Sequence, residues 1–66
     1  MELHEVIKAR RATLALSQQD LAEMAQVSVA TVKDIERGKG NPSLLTIQKL
    51  LEVLGMEIIY QVRHTV

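Results

Sequence analysis

The chain has no cysteine, no phenylalanine and no tryptophan, and among its 66 residues there are one tyrosine, one proline and three glycines. Without cysteine there is no disulfide framework and no cysteine-rich zinc site to stabilise so short a chain. Without large aromatics the core must be aliphatic, built on Leu, Ile, Val, Ala and Met, which suits close-packed helices. Net charge is also missing, because 8 Lys plus Arg balance 8 Asp plus Glu. Strong non-specific attraction to a polyanion is therefore not expected of the chain as a whole. No apolar run is long enough to span a bilayer. The N-terminal MELHEVIKARR carries acidic residues and no signal-peptide core, so a cytoplasmic protein is expected. Catalytic constellations are missing as well: there is no Ser/His/Asp or Cys/His set, no paired acids and no glycine-rich phosphate loop. Gly38-Lys39-Gly40 follows a helix rather than a strand and reads as a helix exit. His4 and His64 stand at opposite ends with no metal spacing. No enzyme activity, cofactor or metal is expected.

What is present centres on Ser17 to Lys39. Two short helices are predicted there, about Gln18 to Ala25 and about Val29 to Arg37, joined by a tight turn. Ser17 and Ser28 are suited to cap them, each hydroxyl accepting from a free backbone N–H of the first turn. Asp20 adds an acid to the first turn of the first helix, and Gly38 stops the second. Leu21, Ala22 and Ala25 share one side of the first; Val32 and Ile35 share one side of the second, with Val29 at its edge. Ala22 is small enough to let the axes approach. The opposite side of the second helix carries Ala30, Lys33, Asp34 and Arg37.

This stretch resembles the helix-turn-helix of the phage-repressor/Cro class, the Xre-type regulators. The matching residues are Gln18, Ala22, Val27, Val32 and Ile35, and above all Ile35-Glu36-Arg37-Gly38-Lys39. The resemblance covers about Val6 to Gly55. Relatives place glycine in the turn where this chain has Gln26, and at the end of the preceding helix where it has Ala15. If Gln26 keeps a positive φ, the cost is about 1 kcal/mol. The resemblance also implies that Arg11 and Glu36 form a structural salt bridge, a bidentate pair stapling two helices.

Elsewhere, Leu3, Val6, Ile7, Arg10 and Leu14 fall at helical spacing, predicting a first helix over about Glu2 to Leu14. Gly38 to Pro42 is a turn cluster. Ser43 then caps a helix whose core face is Leu44, Ile47, Leu50, Leu51 and Leu54, ended by Gly55. Beyond it the period becomes two: Met56, Ile58, Tyr60 and Val62 lie on one side, Glu57, Gln61 and Arg63 on the other, with Ile59 the exception. A strand is predicted, and a lone strand leaves its backbone groups unpaired. Antiparallel pairing with a second copy solves this, making Met56, Ile58, Ile59, Tyr60 and Val62 the expected dimerisation residues. Small HipB-like antitoxins are similar in carrying such a strand after this fold. A disordered tail is expected for His64-Thr65-Val66. The expected architecture is mainly α: a four-to-five-helix, phage-repressor-like helix-turn-helix domain over 1–55, and over 56–66 one C-terminal β-strand pairing across a homodimer, with its tail.

For function, the resemblance implies a sequence-specific DNA-binding repressor acting as a homodimer on a pseudo-palindromic operator of double-stranded DNA. It makes Val29, Ala30, Asp34 and Arg37 base-facing, and assigns Gln18, Gln19, Ser28, Thr31, Lys33, Lys39 and Asn41 to the DNA backbone or groove edge. Val29 and Ala30 offer thymine methyls apolar contact, Asp34 accepts from cytosine N4, and Arg37 reaches guanine or a phosphate. The similarity to HipB-like proteins adds an antitoxin role with a HipA-like toxin as partner. The alternative is a protein-interaction module with a degenerate DNA-binding face, favoured by the zero net charge, Asp34 and the apolar Val29-Ala30 pair.

Overall fold

The computed structural model describes residues 2–64; Thr65 and Val66, part of the expected tail, lie outside the described residues. It contains four helices: α1 Leu3–Thr13, α2 Gln18–Ala25, α3 Val29–Glu36 and α4 Leu44–Val53. Each start has a local cause. Glu5 Oε1 accepts from the Glu2 N–H before α1 (3.2 Å). Before α2, Ser17 Oγ accepts from the Asp20 N–H (2.9 Å) while the Asp20 carboxylate accepts from the Ser17 N–H (3.1 Å), a reciprocal capping box. These bonds hold the Asp20 carboxyl below its ordinary value, the Ser17 backbone N–H being the larger cause and its hydroxyl the second. Ser28 and Ser43 cap α3 and α4 through the N–H groups of Thr31 and Thr46, at 3.1 Å each.

All four helices end the same way. The N–H after the left-handed residue returns to a carbonyl five residues back, as in Leu16 to Arg11 (3.1 Å), Val27 to Ala22 (3.0 Å), Lys39 to Asp34 (2.8 Å) and Met56 to Leu51 (2.8 Å). Glycine supplies the positive φ at two of these ends, but Ala15 (56°) and Gln26 (60°) supply it at the others. Side chains with a Cβ are disfavoured there, by about 1 kcal/mol or more. Gln26→Gly is therefore expected to stabilise the domain by about 0.5–1 kcal/mol, the flexibility gained by the unfolded chain taking back part of the relief. A thermal melt several degrees higher is the expected readout, and a lower one would show the side chain is stabilising. At Gly38 (φ 71°) a Cβ would also stand 3.3 Å from the His4 ring, so that end has a second reason for glycine.

The core is aliphatic: Ile7 from α1, Leu21, Ala22 and Ala25 from α2, Val32 and Ile35 from α3, then Ile47, Leu50, Leu51 and Leu54. Leu16, Val27, Val53 and Met56 pack around it. Helix α2 lies against both α3 and α4, while α1 rests on α3. Arg10 Nε donates to the Leu54 carbonyl (2.9 Å), tying α1 to the end of α4.

Two expectations need correction, Leu44 on the core face and the C-terminal strand. Leu44 is 52% exposed: it shares the i, i+3, i+7 spacing of buried Ile47 and Leu51, but as the first residue of α4 it stands at the end of the stripe, beyond the core. Leu3 and Leu14 are likewise exposed, so Ile7 is the fully buried anchor of α1. The segment after Gly55 has no regular secondary structure, and among the described residues there is no β-strand. A strand exists through ladder bonds to a neighbour, and the rest of the described chain, helices and the loops between them, supplies none. In this single chain Ile58, Ile59, Tyr60 and Val62 are all exposed, and only Met56 packs on the core.

Candidate nucleic-acid interface

Helix α3 is two-sided. Val32, Ile35 and Glu36 are buried, whereas Val29, Ala30, Lys33 and Arg37 face out and Thr31 and Asp34 are half-buried. The inner side follows from i, i+3 spacing of apolar residues. The outer side begins with small or short side chains, leaving the first turn slim. Ser28 and Thr31 hydroxyls also bond each other (2.8 Å), holding both polar groups at the helix start. The α3–α4 loop closes one flank, forming a groove of about 180 Å³ lined by Thr31, Asp34, Ile35, Lys39, Gly40, Asn41 and Pro42. The structure thus brings Thr31, Asp34, Lys39 and Asn41 to one groove, beside exposed Lys33 and Arg37. Against Asp34, the cations Lys33, Arg37 and Lys39 leave this face locally basic despite the neutral chain.

Beneath the face is a buried polar cluster. Arg11 grips Glu36 with two bonds, Nε to Oε2 at 2.6 Å and Nη2 to Oε1 at 2.9 Å. Arg11 Nη1 also donates to the Leu16 carbonyl (2.8 Å). Burial pushes the Glu36 carboxyl up. The hydrogen bonds from Arg11 and Gln18, with the charges of Arg11 and Lys8, outweigh that and hold it below its ordinary value. The Glu36 hydrogen bond outweighs burial at Arg11 and raises the guanidinium above its ordinary value. No buried side-chain N or O among the described residues lacks a partner. The cluster therefore locks α3 to α1 and to the chain entering α2.

Gln18 belongs to this cluster, which sequence reasoning missed. Its Nε2 donates to Glu36 Oε1 (3.2 Å), so the amide is turned inward and bridges α2 to α3. What remains outward at that helix start is backbone N–H and the helix dipole, which favour an anion. Gln19 is on the surface and donates to Glu23 Oε1 (3.3 Å). Arg37 is paired with Asp34 one turn back on α3. Met56, Ile58, Ile59, Tyr60 and Val62 lie beyond α4 and contribute nothing to the groove lining. Among the described residues no three of His, Asp and Glu gather to hold a metal, and no helix is long and apolar enough to cross a membrane.

Comparison with known proteins places this arrangement. A family model described as helix-turn-helix matches residues 7–61. The chain is 40% identical over 58 residues to the HTH-type transcriptional regulator DdrOP3 of Deinococcus deserti, a match covering 88% of this chain and 45% of that protein. It is also 40% identical over 58 residues to the immunity repressor protein of Bacillus phage phi105, covering 88% of this chain and 40% of the repressor. An uncharacterized HTH-type transcriptional regulator of Methanothermobacter thermautotrophicus is 33% identical over 57 residues, with 86% of this chain and 83% of the relative covered. The chain spans less than half the length of the first two.

Proposed function

The chain belongs to the Xre-type helix-turn-helix regulators, and from that premise we propose that it is a sequence-specific DNA-binding transcriptional repressor. The observation that carries this reading is the two-sided α3. Its buried side is locked by Arg11 and Glu36, and its outer side offers a slim first turn, a groove and locally basic charge. In the major groove, Val29 and Ala30 contact thymine methyls while Asp34 and Arg37 reach polar base edges. Ser28, Thr31, Lys33, Lys39 and Asn41 contact the sugar-phosphate backbone. Gln19 and the N–H groups at the start of α2, including that of Gln18, serve the same purpose. The names of two relatives, a transcriptional regulator and an immunity repressor, support the reading.

The finer reading is a homodimer. Apart from Ile59, residues 56–62 alternate apolar and polar, and Ile58, Ile59, Tyr60 and Val62 are uncovered, which suits antiparallel pairing with the same segment of a second copy. Two reading helices would then face a pseudo-palindromic operator with half-sites about one helical turn apart. A still narrower role, antitoxin to a HipA-like toxin, rests on the resemblance of that C-terminal segment to HipB-like proteins; co-purification with the product of an adjacent gene tests it. Arg37→Ala tests the reading helix itself. The variant is expected to bind a duplex selected by the wild-type protein about tenfold more weakly or worse. Unchanged affinity for every duplex would remove α3 from the interface. It would favour a protein-interaction module, a reading for which the zero net charge speaks.

A further inference from the structure

Arg37 ends the reading helix, and Asp34 stands one turn before it. Arg37 Nη2 donates to Asp34 Oδ1, although both side chains are half-exposed, 61% and 51%. Asp34 also lines the groove against Lys39, Gly40 and Asn41. The other acid of α3, Glu36, is buried and committed to Arg11 and Gln18. Asp34 is therefore the one carboxylate on α3 that a duplex would meet.

An exposed carboxylate facing a polyanion is unfavourable, and a free arginine at a helix end binds the phosphates of any sequence. Paired, the two form a unit with no net charge and little attraction for phosphate. The pairing also biases the guanidinium toward Asp34 and leaves most of its five N–H groups free. Those N–H groups fit guanine O6 and N7, and the unused lone pairs of Asp34 fit the N4 amino group of a neighbouring cytosine. We propose that Asp34 and Arg37 act as one reading unit, in which Asp34 positions Arg37 for guanine, screens it from indiscriminate phosphate binding and reads the adjacent cytosine. This rests on the reading of α3 as the recognition helix. It assigns Asp34 the role of a specificity-determining and positioning residue, although its charge alone would only weaken DNA binding.

The test uses the full chain and three duplexes: one selected by the wild-type protein from a randomised pool, the same duplex with its guanine replaced, and a scrambled duplex. Asp34→Ala is expected to bind the scrambled duplex several-fold more tightly. The slope of log affinity against log salt should steepen by about 0.9, as expected when Arg37 is released to one more phosphate. Discrimination between the selected and guanine-replaced duplexes should fall about tenfold. Asp34→Asn keeps an acceptor for Arg37 without the charge, and should retain more discrimination than Asp34→Ala while still binding the scrambled duplex more tightly. In an Arg37→Ala background, Asp34→Ala should leave discrimination at the guanine where Arg37→Ala put it. Equal gains on all three duplexes, with discrimination intact, would overturn the proposal and reduce Asp34 to a repulsive charge. A wild-type protein that selects no sequence at all overturns the reading of α3, and the paired unit with it.

Discussion

Arg11→Ala is expected to destabilise the domain by about 3 kcal/mol, at the lower end of what breaking a buried ion pair costs. The Glu36 side chain is 2% exposed and the Arg11 side chain 16%, so the variant leaves a carboxylate in the interior without its cation. Gln18 still donates to Glu36, and the partial exposure of Arg11 lets water approach, which is why the lower end applies. The Leu16 carbonyl loses a donor in the same step. A 66-residue chain has a total stability of only about 3–10 kcal/mol, so the variant should be largely unfolded at modest denaturant. A urea titration measures this, and a loss of a few tenths would show that the pair is solvated. The sign of the pH effect follows from Glu36. Its folded value is depressed, so its contribution is full above the ordinary carboxylate range and is lost as pH falls through the folded value. Acid should therefore destabilise the wild type more steeply than Arg11→Ala.

Asp at both Tyr60 and Val62 should leave the helical domain folded and lower operator affinity by about 10²–10⁴-fold. In the single chain these side chains are 76% and 97% exposed, so replacing them removes almost no packing within the protomer. In the proposed dimer they lie on the paired apolar side. Charges placed there twice across a two-fold axis repel one another, and like charges facing across strands are unfavourable. Once the copies separate, each reading helix binds its half-site alone and the gain from linkage is lost. Sedimentation should show a dimer for the wild type and a monomer for the variant. A monomeric wild type, or a variant with undiminished affinity, would remove the C-terminal segment from the interface.

The helices were legible because their boundaries have local causes. Ser17, Ser28 and Ser43 sit one residue before α2, α3 and α4, and each hydroxyl caps its own first turn. The inner stripe of α3 could be read from Val32 and Ile35 by spacing. The left-handed ends at Ala15 and Gln26 were harder, because nothing in either side chain favours a positive φ; it accompanies the helix-end bonds of Leu16 to Arg11 and Val27 to Ala22. The inward turn of Gln18 was invisible for a different reason. A glutamine at a helix start serves equally as a surface donor, and only the buried Glu36 carboxylate 18 residues away draws it in. Leu44 was misplaced because it has the spacing of Ile47 and Leu51, and spacing alone does not show where along α4 the core ends. Over residues 56–62 the period of two led to a strand that the single chain does not form, because a pattern becomes a strand only when a partner supplies the other half of the ladder.

The most direct measurement is fluorescence anisotropy of the protein on DNA from upstream of its own gene and on a scrambled duplex, across a salt series. The proposed function predicts tight binding to the upstream DNA, weak binding to the scrambled duplex, and an affinity that falls as salt rises. No binding to either duplex at low salt would contradict it, and the outer face of α3 would then be a surface for a protein.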